Sequence, residues 1–165
     1  MAPVPAPKNL DYLDCSVANT LELIGDRWSL LILRDAFMGV RRFEDFHDDL
    51  GIARNILSAR LDRLVRGGIL ETRRYQDHPP RDEYVLTTSG KDLFDVLLAM
   101  WRWGDRWVPP PDAEPRELYH TQCGEVTRMV PACEHCGGEL KRSELRIRPG
   151  LAVVSVGLGA EAGVG

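Results

Sequence analysis

At 165 residues and a net charge of −4, the chain is long enough for one self-sufficient domain with an appendage. Hydrophobic residues make up 44% of it and charged residues 28%, which excludes a disordered or fibrous chain, and no apolar run is long enough to span a membrane. The acidic balance excludes nucleic-acid attraction by bulk charge, so any such role must rest on a local field.

Residues 1–9 are proline-rich and expected to be disordered. They lack the cationic start and apolar run of a cleavable signal, which makes a soluble, cytoplasmic protein the expectation. Val17, Leu21 and Ile24 mark a helix from Cys15 to Ile24, ended by Gly25. Asp26 is then a good N-cap for a helix from Arg27 to Met38, apolar on nearly every side and so expected at the centre of the fold. Gly39 stops it. Arg41 and Arg42 precede a short helix, Phe43 to Leu50, whose core face is Phe43, Phe46 and Leu50; Gly51-Ile52 makes the corner that follows.

The next helix, Arg54 to Val65, organises the rest. Leu57, Leu61 and Leu64 draw a narrow apolar stripe on one side. The other side carries Arg54, Asn55, Ser58, Ala59 and Asp62, a mixture of cation, amide, hydroxyl and small residues that can approach base-pair edges. Gly67-Gly68 stops this helix. A hairpin from Leu70 to Thr87 follows, turning through Asp77-His-Pro-Pro-Arg-Asp82 and carrying Arg73, Arg74 and Arg81.

Helix, tight turn, helix and hairpin is the order of a winged helix-turn-helix, a mainly α fold with a small β-hairpin. From Arg41 to Asp82 there are nine arginines against eight acids, and the acids gather in Glu44–Asp49, ahead of most of the arginines. Arg54, Asn55 and Ser58 are the candidate base readers. Arg41, Arg42, Arg60, Arg73, Arg74 and Arg81 are the candidate phosphate contacts. The competing reading is a solvated polar flank on an ordinary amphipathic helix.

Thr87 or Thr88 should cap a last long helix, Lys91 to Trp107. It carries two adjoining apolar stripes and three tryptophans, Trp101, Trp103 and Trp107. One stripe is enough to dock on the domain; the second points to a homodimer, against the alternative of a helix buried inside a larger monomer. The domain so defined runs over 10–108, with a proline-rich linker at 109–117. In the segment 118–149, His120-x2-Cys123-Gly and Cys133-x2-Cys136-Gly match two zinc knuckles, giving a zinc-ribbon-like hairpin with structural zinc, His135 being a competing ligand. The alternative is a small metal-free hairpin. The tail, 150–165, is expected to be flexible.

The run from Cys15 to Trp107 resembles the HxlR-type regulators, relatives of the MarR group of winged-helix transcription factors. The matching pieces are Cys15, Gly25-Asp-Arg-Trp28, Leu30-Leu-Ile-Leu-Arg34-Asp, Gly39-Val-Arg-Arg-Phe43, Gly51-Ile52, Leu57-Ser-Ala-Arg60-Leu61, Gly67-Gly-Ile-Leu70, Pro79-Pro80, Glu83-Tyr84-x-Leu86-Thr87, Gly90 and Trp103-Gly104. The cysteine-bearing segment looks like an extension carried by some members. The resemblance implies a homodimer whose recognition helices enter successive major grooves of palindromic double-stranded DNA, with repression or activation of a nearby promoter. It also implies a small-molecule or redox effector, with Cys15 as the candidate thiol sensor. The chain departs from the pattern at Ala53, where relatives usually place a capping serine, and at Asn55, where a lysine is common.

No Ser/His/Asp set, phosphate loop or paired carboxylates stand in a recognisable frame, and His47, His78, His120 and His135 are scattered, so no enzyme is expected. The rival function is a winged-helix module that binds protein rather than DNA.

Overall fold

The computed structural model describes residues 15–111 and 117–147; the expectations for 1–9, for the tail 150–165 and for most of the linker lie outside the described residues. Four helices come first: α1 (Ser16–Ile24), α2 (Arg27–Phe37), α3 (Phe43–Leu50) and α4 (Arg54–Arg66). An antiparallel hairpin of β1 (Leu70–Gln76) and β2 (Arg81–Leu86) follows, then α5 (Thr88–Asp92), α6 (Phe94–Trp107) and two short strands, β3 (Leu118–Tyr119) and β4 (Val126–Thr127). From α1 to β2 this is the winged helix-turn-helix order, mostly helical with a small hairpin.

Asp26 sets the start of α2 and does more than cap it. Its carboxylate accepts the backbone N–H groups of Trp28 and Ser29, each at 3.1 Å, and Arg60 on α4 donates its Nε to the same carboxylate at 2.9 Å. Burial alone would raise the Asp26 pKa, but the hydrogen bonds from Ser29 and Arg60 outweigh it and hold the value below the ordinary carboxylate range. A folded-state pKa below the unfolded one stabilises the fold fully above the unfolded value, and the contribution disappears as the pH falls through the folded value. Asp26→Asn is therefore expected to flatten the acid limb of the stability–pH profile, as followed by urea unfolding at a series of pH values.

The core lies where α2, α4 and the base of the hairpin meet. Ile32, Leu33, Phe46, Leu57, Leu61 and Leu64 have no exposed surface. In the hairpin, Leu70 pairs with Leu86, Thr72 with Tyr84 and Arg74 with Asp82, with an irregularity between Arg74 and Gln76. The segment before α3 adds a partial third strand that the sequence reading lacked: Tyr84 donates its N–H to the Arg41 carbonyl at 2.7 Å, and Arg42 bridges Glu83.

The helix expected over Lys91–Trp107 is divided at Leu93. Thr87 caps α5 by accepting from Gly90 N–H, and the Thr87 and Ser89 hydroxyls both donate to the Gly68 carbonyl, tying α5 to the start of β1. Leu93 N–H then bonds Gly90, three residues back rather than four, and α6 starts afresh on its own stripe. Leu93 and Leu97 pack against the core, yet no residue of α6 is fully buried.

The described residues fall into two compact units that part between Leu97 and Leu98, within α6. In the second unit Arg102 donates to the Met129 carbonyl at 3.0 Å, which joins this half of α6 to the C-terminal segment.

Candidate nucleic-acid interface

The turn between α3 and α4 is three residues long. Gly51 adopts φ +60°, the left-handed conformation that suits glycine, and closes α3 through its N–H to the His47 carbonyl at 2.9 Å. Ile52 is buried and pins the corner. Ala53 occupies the N-cap position of α4 with no side chain to satisfy the free N–H groups. Ala53→Ser should raise stability by about 1 kcal/mol, measurable as a rightward shift of the urea midpoint.

α4 presents two faces of opposite character. Leu57, Leu61 and Leu64 are wholly inside, while Arg54, Asn55, Ser58 and Ala59 are exposed. The stripe read from the sequence is the buried one, and the flank read as polar is the open one.

Arg54 is exposed but held on one side by α3. Its guanidinium donates through both terminal nitrogens to Glu44 on α3, Nη1 to Oε1 at 2.9 Å and Nη2 to Oε2, and its Cζ sits 5.5 Å from the centre of the Phe43 ring. The Arg54 hydrogen bond holds the Glu44 carboxyl below the usual range, and the Arg81 charge acts in the same direction. Glu44 thus feels the first residue of α4 and the tip of the hairpin together. Those two cationic groups share one side of the first unit. A depression of about 620 Å³ there is lined by Arg42, Phe43, Glu44, Tyr75, Arg81 and Tyr84 among others.

The remaining arginines divide by partner. Arg74 Nε donates to Asp82 Oδ1 at 2.5 Å across the hairpin, and Arg73 donates to Glu71 at 2.6 and 2.8 Å. Arg42 stacks over Tyr75 with its Cζ 4.7 Å from the ring centre. Arg41 and Arg81 are exposed. Arg60 is the exception, because Asp26 engages its Nε and makes it a strut between α2 and α4. The carboxylate partners escaped the sequence reading. Asp82 becomes readable once the turn fixes the register opposite Arg74, whereas Glu44 meets Arg54 only through the tertiary turn.

The sequence-predicted metal ligands stand in two pairs. His120 Nδ1 lies 3.4 Å from Cys123 Sγ, and Cys133 neighbours Cys136. The Cys133 thiol is held below its ordinary pKa by the Cys136 and His135 backbone N–H groups and the Cys136 side chain. Among the described residues, no three His, Cys, Asp or Glu side chains converge on one centre. Cys15 is exposed at the residue before α1 and makes no side-chain cap bond there.

Known proteins are similar to this chain in sequence and fold. The family model described as HxlR-like helix-turn-helix matches residues 23–112. Mb3122 of Mycobacterium bovis, named an HTH-type transcriptional regulator, is 44% identical over 135 residues, covering 82% of this chain and 85% of the relative. Among solved structures, PA1607, described as a candidate transcription factor, is 36% identical with a TM-score of 0.74, covering 84% of this chain and 97% of that one. The oxidised form of the redox regulator HypR is 32% identical with a TM-score of 0.52, covering 56% and 96%. A buried leucine stripe under an open polar helix, an arginine-bearing wing and these matches agree: the chain belongs to the HxlR-like helix-turn-helix family of transcriptional regulators, winged-helix proteins of the MarR kind.

Proposed function

We propose that two copies of this chain bind a palindromic operator and repress a nearby promoter, each inserting α4 into the major groove. The observation that carries this reading is the open Arg54-Asn55-Ser58 flank of a helix whose opposite side is completely buried, with Arg81 of the wing acting on the carboxylate that holds Arg54. Arginine suits guanine and asparagine suits adenine in the major groove. Arg41, Arg42, Arg73, Arg74 and Arg81 take the phosphates, and Arg60 adds what its Asp26 bond leaves free. Two-fold symmetry sets the half-sites about one helical turn apart, roughly 34 Å.

The dimer reading rests on α6, where Phe94, Met100, Trp103 and Trp107 keep 40–61% of their surface exposed. Apolar surface of that kind on one helix suits a self-complementary contact. Trp103→Asp is expected to convert a dimer into a monomer by light scattering and to abolish operator binding with it. A wild-type monomer bound to its operator would contradict the dimer.

The gel-shift of the chain on its own upstream DNA, against a scrambled duplex, tests the function itself. A specific shift supports the regulator, and equal weak binding to both favours the protein-interaction module. An effector switches such a dimer only by binding its two states unequally. Cys15 is the candidate thiol for an oxidant, and HypR is a redox regulator by name. A peroxide response that survives Cys15→Ser would remove that role.

A further inference from the structure

The four cysteines differ in their surroundings. Cys15 precedes α1 without a cap bond, and the Cys123 sulfur lies 3.4 Å from the His120 imidazole. Cys133 instead has the thiol of Cys136 as its hydrogen-bond neighbour. The loop that carries this pair is closed at its base without help from the sulfurs. Ala132 bridges Glu139, Leu140 N–H donates to the Pro131 carbonyl at 2.9 Å, and Cys133 N–H donates to the Gly138 carbonyl at 2.8 Å. Inside it, Gly137 takes φ +72° and returns its N–H to the Cys133 carbonyl at 2.8 Å, which makes a single turn of residues 133–137. The His135 and Cys136 backbone N–H groups bond the Cys133 sulfur and hold it over that turn.

A turn this tight keeps residues three apart within roughly 4.4–6.8 Å between Cα atoms, the span a disulfide needs. The two side chains already meet, so the bond forms with little backbone movement. Cys136 is exposed, and no side chain from 117 to 147 is buried, so a small reagent reaches the pair directly. We propose that Cys133 and Cys136 are a reversible thiol–disulfide site that exchanges with a low-molecular-weight disulfide. A thiolate of the pair attacks one sulfur of that disulfide, forms a mixed disulfide and releases the first small thiolate. The second cysteine attacks the protein sulfur of this intermediate, closes the Cys133–Cys136 bond and expels the other small thiolate. The protons of the two cysteines pass to the two leaving thiolates; the pair loses two electrons and the small disulfide gains them. A thiol held this close acts at high effective concentration, which favours the closed ring over a mixed disulfide. The site is distinct from Cys15 and needs neither DNA nor a second chain.

The test treats the full chain, purified without chelator, with oxidised glutathione and maps the products by mass spectrometry. Trypsin cleaves after Arg128 and Lys141, so peptide 129–141 carries both cysteines apart from Cys15 and Cys123. That peptide should be two hydrogens lighter and free of glutathione, while Cys15 and Cys123 carry only glutathione adducts. Opening the link should need at least about tenfold more reduced glutathione than stripping the adduct from Cys15. Cys133→Ser and Cys136→Ser should each abolish the link and leave glutathione on the remaining thiol. Cys15→Ser and Cys123→Ser should leave the link intact, with far-ultraviolet circular dichroism confirming that every variant folds. Glutathione on Cys133 or Cys136 without a link, a link to Cys123 or between chains, or reduction as easy as at Cys15 would each overturn the proposal. So would thiols that stay unreactive until a chelator is added, because a bound metal would then account for the pair. None of these readouts depends on operator binding.

Discussion

Leu61→Ala is expected to destabilise the fold by about 2–5 kcal/mol, measured by urea unfolding. Leu61 has no exposed surface and stands midway along α4, between Leu57 and Leu64, where that helix packs on α2 and the base of β1. The truncation removes apolar burial and leaves a cavity that helices held on several sides cannot close. A domain of this size has roughly 5–15 kcal/mol in total, so much of the population unfolds on mild heating. Ser58→Ala supplies the contrast on the same helix. Its side chain is exposed, and the stability change should stay within about 0.5 kcal/mol while operator affinity falls. One helix then yields two separable effects, stability from the inner face and recognition from the outer.

Arg54→Ala should lower operator affinity roughly tenfold to a hundredfold, with the loss concentrated at one base pair of each half-site. Arg74→Ala should weaken every duplex alike and reduce the salt slope by about one. The two arginines look equivalent by charge, and their places separate them. Arg54 opens the helix that carries Asn55 and Ser58, whereas Arg74 sits on the wing opposite Asp82. Glu44 complicates Arg54 in an informative way. In the free protein it occupies both terminal nitrogens of the guanidinium, so base contact must share or replace that carboxylate. Glu44→Gln should therefore raise affinity for all duplexes, because it removes a negative charge from the DNA-facing side and loosens its hold on Arg54. A fall in affinity instead would make Glu44 a support that aims Arg54 at its base. Equal losses on every sequence for Arg54→Ala and Arg74→Ala would remove the division of roles.

What the sequence carries about this fold is local periodicity and punctuation. The leucine spacing in α4, the Asp26 cap, the Gly51 corner and the turn of the hairpin each follow from a few neighbouring residues, and each stands where expected. What it does not carry depends on distant partners. Arg60 reads as a surface cation until the fold brings Asp26 to it across 34 residues. The pairing of Arg42 with Glu83 and the grip of Glu44 on Arg54 arise in the same way. The division at Leu93 belongs to this class too, since helical patterning runs unbroken through it and only the tie from Thr87 and Ser89 to Gly68 sets α5 apart. The candidate readers were legible because exposure on a helix follows from its buried face. Their partners were not, because an ion pair between elements leaves no periodic trace.

The most direct measurement is a hydroxyl-radical footprint of the wild-type chain and Asn55→Ala on the DNA upstream of its own coding sequence. Two protected stretches about one helical turn apart are expected for the wild type, fading in Asn55→Ala while circular dichroism stays unchanged. Protection that is absent, or identical in the two proteins, would contradict base reading by the open face of α4.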